Sequence, residues 1–126
     1  MTSRDESFVN FAKVIISARD ESISNFDGYI SGSLSSKYAK LMNDKFSNVG
    51  KDSGEALREL IPLIVDETIR IVLQSLDENQ NSIDIKIRVD NNEESVYNEF
   101  ELLEPEYAPS DGWIQKYSKQ RVINLK

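Results

Sequence analysis

Hydrophobic positions recur every three or four residues through the first part of the chain and every second residue after Ser82. The sequence therefore predicts helices first and a small sheet after them. Across residues 5–18, Phe8, Phe11, Ala12, Ile15 and Ile16 form an amphipathic stripe, with Ser3 or Asp5 placed to cap its start and the charged run RDES to end it. Residues 22–36, SISNFDGYISGSLSS, are rich in serine and glycine and read as a loop that docks Phe26 and Tyr29 on the core. A second helix is predicted over 35–46, with Tyr38, Leu41, Met42 and Phe46 on one side and three lysines around the other. The strongest signal covers 53–79, where Leu57, Leu60, Ile61, Ile64, Val65, Ile69, Val72 and Leu76 keep the same rhythm and mark the central helix. Pro62 falls inside it with no N–H to donate, so the expectation is a kink, or two helices with the second opening at Pro62.

From residue 83 the period is two. Ile83, Ile85, Ile87 and Val89 alternate with Asp84, Lys86, Arg88 and Asp90, as in a strand with one buried and one wet face. DNNEE at 90–94 reads as a polar turn, and 96–103 as the returning strand, with Val96, Phe100 and Leu102 on one face and Tyr97, Glu99 and Glu101 on the other. That register sets Glu99 and Glu101 across from Lys86 and Arg88. LEPEYAPSDG at 103–112 breaks the pattern with two prolines, after which Ser110 or Asp111 caps a short helix over 112–119 with Trp113, Ile114 and Tyr117 on its apolar edge. RVINL at 121–125 is a candidate last strand. The fold class is α+β: one domain over 1–126, its N-terminal helices packed on a small antiparallel sheet (a hairpin plus that third strand), with a short C-terminal helix.

Composition changes the picture mainly by what is missing. The 126 residues contain no cysteine and no histidine. Disulfides, thiolate nucleophiles and zinc–thiolate sites are excluded, and so is a Ser-His-Asp triad. An enzyme would have to work with carboxylates, tyrosine, lysine or Mg²⁺, so a non-catalytic protein without a cofactor is the expectation. Apolar runs such as 14–16 and 71–73 are too short to span a bilayer, and MTSRDESF has no signal-peptide character, which points to the cytoplasm.

The net charge of −7 is unevenly distributed. Residues 1–76 carry 11 acids against 9 bases, residues 77–112 carry 11 against 2, and residues 113–126 carry 4 bases and no acid. A middle of −9 disfavours nucleic acid, which needs cations to replace phosphate counterions, and suits a basic protein partner.

Four constellations follow from this distribution. Asp90, Asn92, Glu94, Asn98 and Glu101 match calcium-loop spacing, but Ser95 stands where the tight turn needs glycine and strands flank it instead of helices. Glu99, Glu101, Glu104, Glu106 and Asp111 are candidates for Mg²⁺ binding or acid–base chemistry, against the plainer reading of solvated glutamates. The same five acids, with Tyr97 and Tyr107 as aromatic anchors, form a candidate recognition surface for lysines and arginines of a partner. Trp113 and Tyr117 with Lys116, Lys119 and Arg121 have the makings of a stacking and phosphate-binding site, although a lone tryptophan one turn before a tyrosine more often packs into a core.

The segments EFELLEPEYAPSD and DGWIQKYSKQR carry a resemblance in character to the immunity proteins of bacterial toxin–immunity pairs, including those of contact-dependent growth inhibition. The likeness lies in small size, acidity, α+β pattern and missing catalytic equipment, and no residue role is transferred by it. It implies a cognate toxin, often a nuclease, whose active site is covered. The leading expectation is a cytosolic binding protein that neutralises a basic toxin through Tyr97, Glu99, Glu101, Glu104, Glu106, Tyr107 and Asp111, without nucleic-acid or membrane binding. The alternative is a structural or adaptor subunit that oligomerises through its helices, whose mark is an exposed apolar residue on the first or second helix.

Overall fold

Ser3 starts the first helix, α1 (Arg4–Ser31), by accepting a hydrogen bond from the Glu6 amide on its hydroxyl. The structure is a computed structural model that describes residues 3–46 and 51–122. α1 does not end near RDES but runs for 28 residues, through most of the segment expected to be a loop. The serines and glycines there are poor helix formers, but Ile23, Phe26 and Ile30 keep the apolar rhythm and pack on Ile61, Val65 and Ile69, so tertiary burial overrides propensity. The helix stops at Gly32, whose φ of 73° is left-handed and whose amide returns to the Gly28 carbonyl.

α2 (Lys37–Phe46) follows as expected, with Tyr38 in edge contact with Tyr29; the side chain of Phe46 lies outside the described residues. α3 (Lys51–Glu78) is continuous through Pro62, so neither a break nor a second helix appears there. The carbonyl that Pro62 cannot satisfy belongs to Arg58, and the Arg121 guanidinium donates to it instead. A side chain from the far end of the chain thus supplies the donor that proline lacks.

β1 (Lys86–Val89) and β2 (Asn92–Ser95) form the hairpin, with Val89 opposite Asn92 and Lys86 opposite Ser95. Asp90 takes the left-handed turn conformation at φ 57°. The returning strand is therefore inside the segment expected to be the turn, and 96–103 is not a strand. Ser95 ends the pairing: its hydroxyl accepts from the Tyr97 amide and opens a 3-10 turn, Val96–Asn98, which buries Val96 completely. α4 (Glu104–Tyr107) and α5 (Trp113–Tyr117) complete the order. Gly112, not Ser110 or Asp111, is the N-cap of α5, and no side chain caps it. Arg121 and Val122 are not in a strand, residues 123–125 lie outside the described residues, and the sheet has two strands among those described.

α1 and α3 lie antiparallel, with Ile23 near Ile61 and Val65 at one end and Ala12 and Ile16 near Leu73 at the other. α4 and α5 cover one side of this pair, and the hairpin packs on α1 at one end of it. There Trp113 is 3% exposed and meets Phe11 and Phe100 edge-on at ring-centroid distances of 6.0 and 5.3 Å, which settles its role as a core residue. No helix among the described residues is long and apolar enough to cross a membrane.

Candidate functional site: an acidic loop pinned to the central helix

The acids predicted as a recognition surface lie on the loop between the 3-10 turn and α5, and a single carboxylate holds that loop. Asp77, in the last turn of α3, accepts hydrogen bonds from the Leu103 and Glu104 amides at 2.9 Å each and from the Tyr97 hydroxyl at 2.9 Å. Leu103 is the N-cap of α4 and offers no side-chain oxygen, so Asp77 caps that helix from another element. Burial and the adjoining Asp77 carboxylate raise the Tyr97 pKa well above that of a free tyrosine, keeping its hydroxyl a donor.

The predicted residues divide once placed. Glu99 is paired with Arg4 at 2.6 Å, and Glu104 with Arg70 at 3.4 Å. The expected pairs with Lys86 and Arg88 do not form, because the hairpin register sets Arg88 opposite Glu93. Tyr107 is a correction to the surface assignment: it is fully buried, its hydroxyl donates to Asp66 at 2.8 Å, and it has no face to offer a partner. It follows Leu103 by one helical turn, and both are in the core while Glu104 and Glu106 flank the outside. Burial, followed by Asp66, drives the Tyr107 pKa far up.

Glu101 and Asp111 are exposed and Glu106 is half-buried, and the three have no ion-pair or hydrogen-bond partner among the described residues. Leu102, 41% exposed, stands beside Glu101 as an apolar residue that the sequence reading placed inside a strand. The backbone folds back tightly here: a Cβ at Gly112 would sit 2.6 Å from the Glu106 carbonyl oxygen, so only glycine allows this approach. The hairpin stands where the calcium spacing needed a loop between helices, and Glu94 of that set goes to Arg4. No group of three or more acids is gathered to hold a metal among the described residues.

Beneath the loop is a charged centre that the sequence reading missed. Arg19 is fully buried on α1, and all five of its N–H groups are used. Two go to Asp66, at 2.6 and 3.2 Å, and the others to Asp20 at 3.2 Å, the Ser118 hydroxyl at 2.9 Å and the Arg121 carbonyl at 3.0 Å. Burial pulls the Arg19 pKa down, but the Asp66 carboxylate more than reverses this and the net direction is up. A signal was present, since Phe8, Ala12, Ile16, Arg19 and Ile23 share one helical phase and the arginine sits in it.

The basic C-terminal segment is thereby fastened inward. Arg121 forms a two-pronged pair with Asp27 at 2.7 and 2.9 Å, and the Lys119 amide donates to Asp20 at 2.7 Å. The side chains of Lys116 and Lys119 are exposed. An open cleft of about 450 Å³ lies between α3 and the α4–α5 segment, with Asp66, Glu67, Arg70 and Ser110 on its walls. Asp66 is already engaged by Arg19 and Tyr107, so it is not a free carboxylate for chemistry in that cleft.

The chain matches no protein-family model, no curated protein and no solved structure.

Proposed function

We propose that this chain is a non-catalytic binding protein of the immunity type, which neutralises a basic, nuclease-type toxin by laying the acidic loop over its active site. The observation that carries the reading is the contrast within the loop. Asp77 fixes its backbone at two amides and holds the Tyr97 hydroxyl beside it, while Glu101, Glu106 and Asp111 are left without side-chain partners among the described residues. Unpaired carboxylates on a prearranged backbone steer a cationic partner and occupy the positions of substrate phosphates, and little ordering cost is left to the encounter. Leu102 supplies an apolar contact amid the charges, and Tyr97 borders the loop; Glu99 and Glu104 stay with Arg4 and Arg70.

If the reading holds, the neighbouring reading frame encodes a toxin-like C-terminal domain, and the direct test assays that domain for nuclease activity with and without this protein. The reading predicts inhibition by the native chain, and its loss in the triple reversal Glu101→Lys, Glu106→Lys, Asp111→Lys. Inhibition undiminished by that reversal would sink the loop assignment, and no effect of the native chain would sink the immunity reading.

A further inference from the structure

The side of the α1–α3 pair away from α4 and α5, with the hairpin at one end of it, is unlike the rest of the surface. Along α3, Leu57, Leu60, Ile64, Thr68, Ile71 and Ser75 succeed one another at spacings of three and four, forming an uncharged line over five turns. On α1, Val14, Ala18, Glu21 and Asn25 succeed one another at the same spacings and are exposed, with Glu21 the one charge among them. In a chain with 29% charged residues, two adjoining helix faces with a single charge between them need a cause. Their apolar residues are open to solvent: Val14 is 68% exposed, Ile64 60%, Val72 53%, and Leu60 and Ile71 nearly half. Shallow grooves run between the two helices and on towards the hairpin, and the only charged residue on their walls is Arg88. Val14 is an exposed apolar residue on the first helix, the kind expected under the oligomerising alternative.

The geometry points to a second copy of this chain as the occupant of this face, the two α1–α3 pairs closing into a four-helix layer about a two-fold axis. Three observations favour a copy over a foreign partner. The first is area. Half-exposed aliphatic side chains present roughly 80–100 Å² each, so the five above offer about 400–500 Å². A standard interface, about 800 Å² per partner and a little over half apolar, needs that amount.

The second is charge. A chain of −7 repels its own copy unless the meeting faces are close to neutral, and along these two lines Glu21 is the single acid. A basic partner, which the acidic loop suits, finds one carboxylate here against the three free ones of the loop. The third is placement. Asp77 and Arg70, which hold the acidic loop, point from the opposite side of α3, so pairing through this face leaves both loops outward. An antiparallel helix pair with one covered and one bare apolar side is half of a bundle, and doubling it about a two-fold axis completes the layer.

Sedimentation velocity on the full chain tests this. The expected species has twice the 14.4 kDa chain mass and is insensitive to salt. Ile64→Glu with Val72→Glu should return it to the monomer with the helical circular dichroism unchanged. Leu102→Asp, on the acidic loop, should leave the dimer intact. Since the chain has no cysteine, Val14→Cys or Ile64→Cys gives a single thiol for cross-linking between copies, a readout that does not depend on the glutamate variants folding. A monomer at every concentration, or a dimer indifferent to both glutamates and uncrosslinked at either thiol, overturns the proposal. So does a chain that is monomeric alone and uses these residues only for a foreign protein. The toxin assay with the loop reversal reads the other face, so the two proposals fail separately.

Discussion

Two carboxylate-rich regions lie near each other in this molecule and are built in opposite ways. Around Arg19, Asp20 and Asp66 meet a cation whose every N–H is used, and among the described residues no buried side-chain nitrogen or oxygen lacks a partner. On the loop above, exposed Glu101 and Asp111 and half-buried Glu106 have no side-chain partner among the described residues. A buried charge must be paired within the fold, or the fold fails. A surface charge is free for something else. The boundary between the regions is Asp77, which uses its charge internally to hold the loop whose charges it leaves free.

This contrast can be broken at graded cost. Arg19→Ala removes five donors and leaves Asp66 and the Arg121 carbonyl without their cation, so chemical denaturation should register a loss of about 3–5 kcal/mol. A loss under about 1 kcal/mol would mean the centre is not what ties α1 to the C-terminal segment. Asp77→Ala strips the cap from α4 and two charge-assisted bonds from the loop. A loss of about 2–3 kcal/mol is expected, with faster amide exchange at Leu103 and Glu104. Gly112→Ala forces a methyl against the Glu106 carbonyl and the Pro109 ring and should cost about 1–3 kcal/mol.

Smaller effects sharpen the same boundary. Arg121 holds the Asp27 pKa below its ordinary value, so this pair adds stability that is complete above about pH 4 and is lost as pH falls through the depressed native pKa. Asp27→Asn should therefore cost about 1 kcal/mol at neutral pH and progressively less below about pH 4, in paired denaturation curves. Equal losses at both pH values would show that the contribution is not electrostatic. At the small end, reversing Glu101 should change stability by less than about 0.5 kcal/mol, because no contact is removed.

Much of this fold was legible as periodicity. The central helix, the second helix, the first strand of the hairpin and the burial of Trp113 follow from apolar spacing, which is local. What escaped depended on residues distant in sequence. The end of α1 was misplaced because serines and glycines masked Ile23, Phe26 and Ile30, whose partners lie on α3. Pro62 signalled a break that Arg121, far down the chain, removes.

The acidic segment was visible as composition, but which acids are free was not. Glu99 is taken by Arg4, 95 positions away, and Glu104 by Arg70. Ser95 ended a strand that the alternation extended, because a capping hydroxyl decided between two backbone states that the side-chain pattern allowed equally.

The central claim is that charges answered inside the fold are structural and charges left unanswered on the loop are functional. It is tested most directly by measuring thermal stability and association rate with the toxin domain on the same samples of native chain and the Glu101→Lys, Glu106→Lys, Asp111→Lys variant, across a salt series. The account predicts matching melting curves, with fast, salt-suppressed association for the native chain and slow association for the variant. A variant that melts with the native chain and associates at the native rate would contradict it.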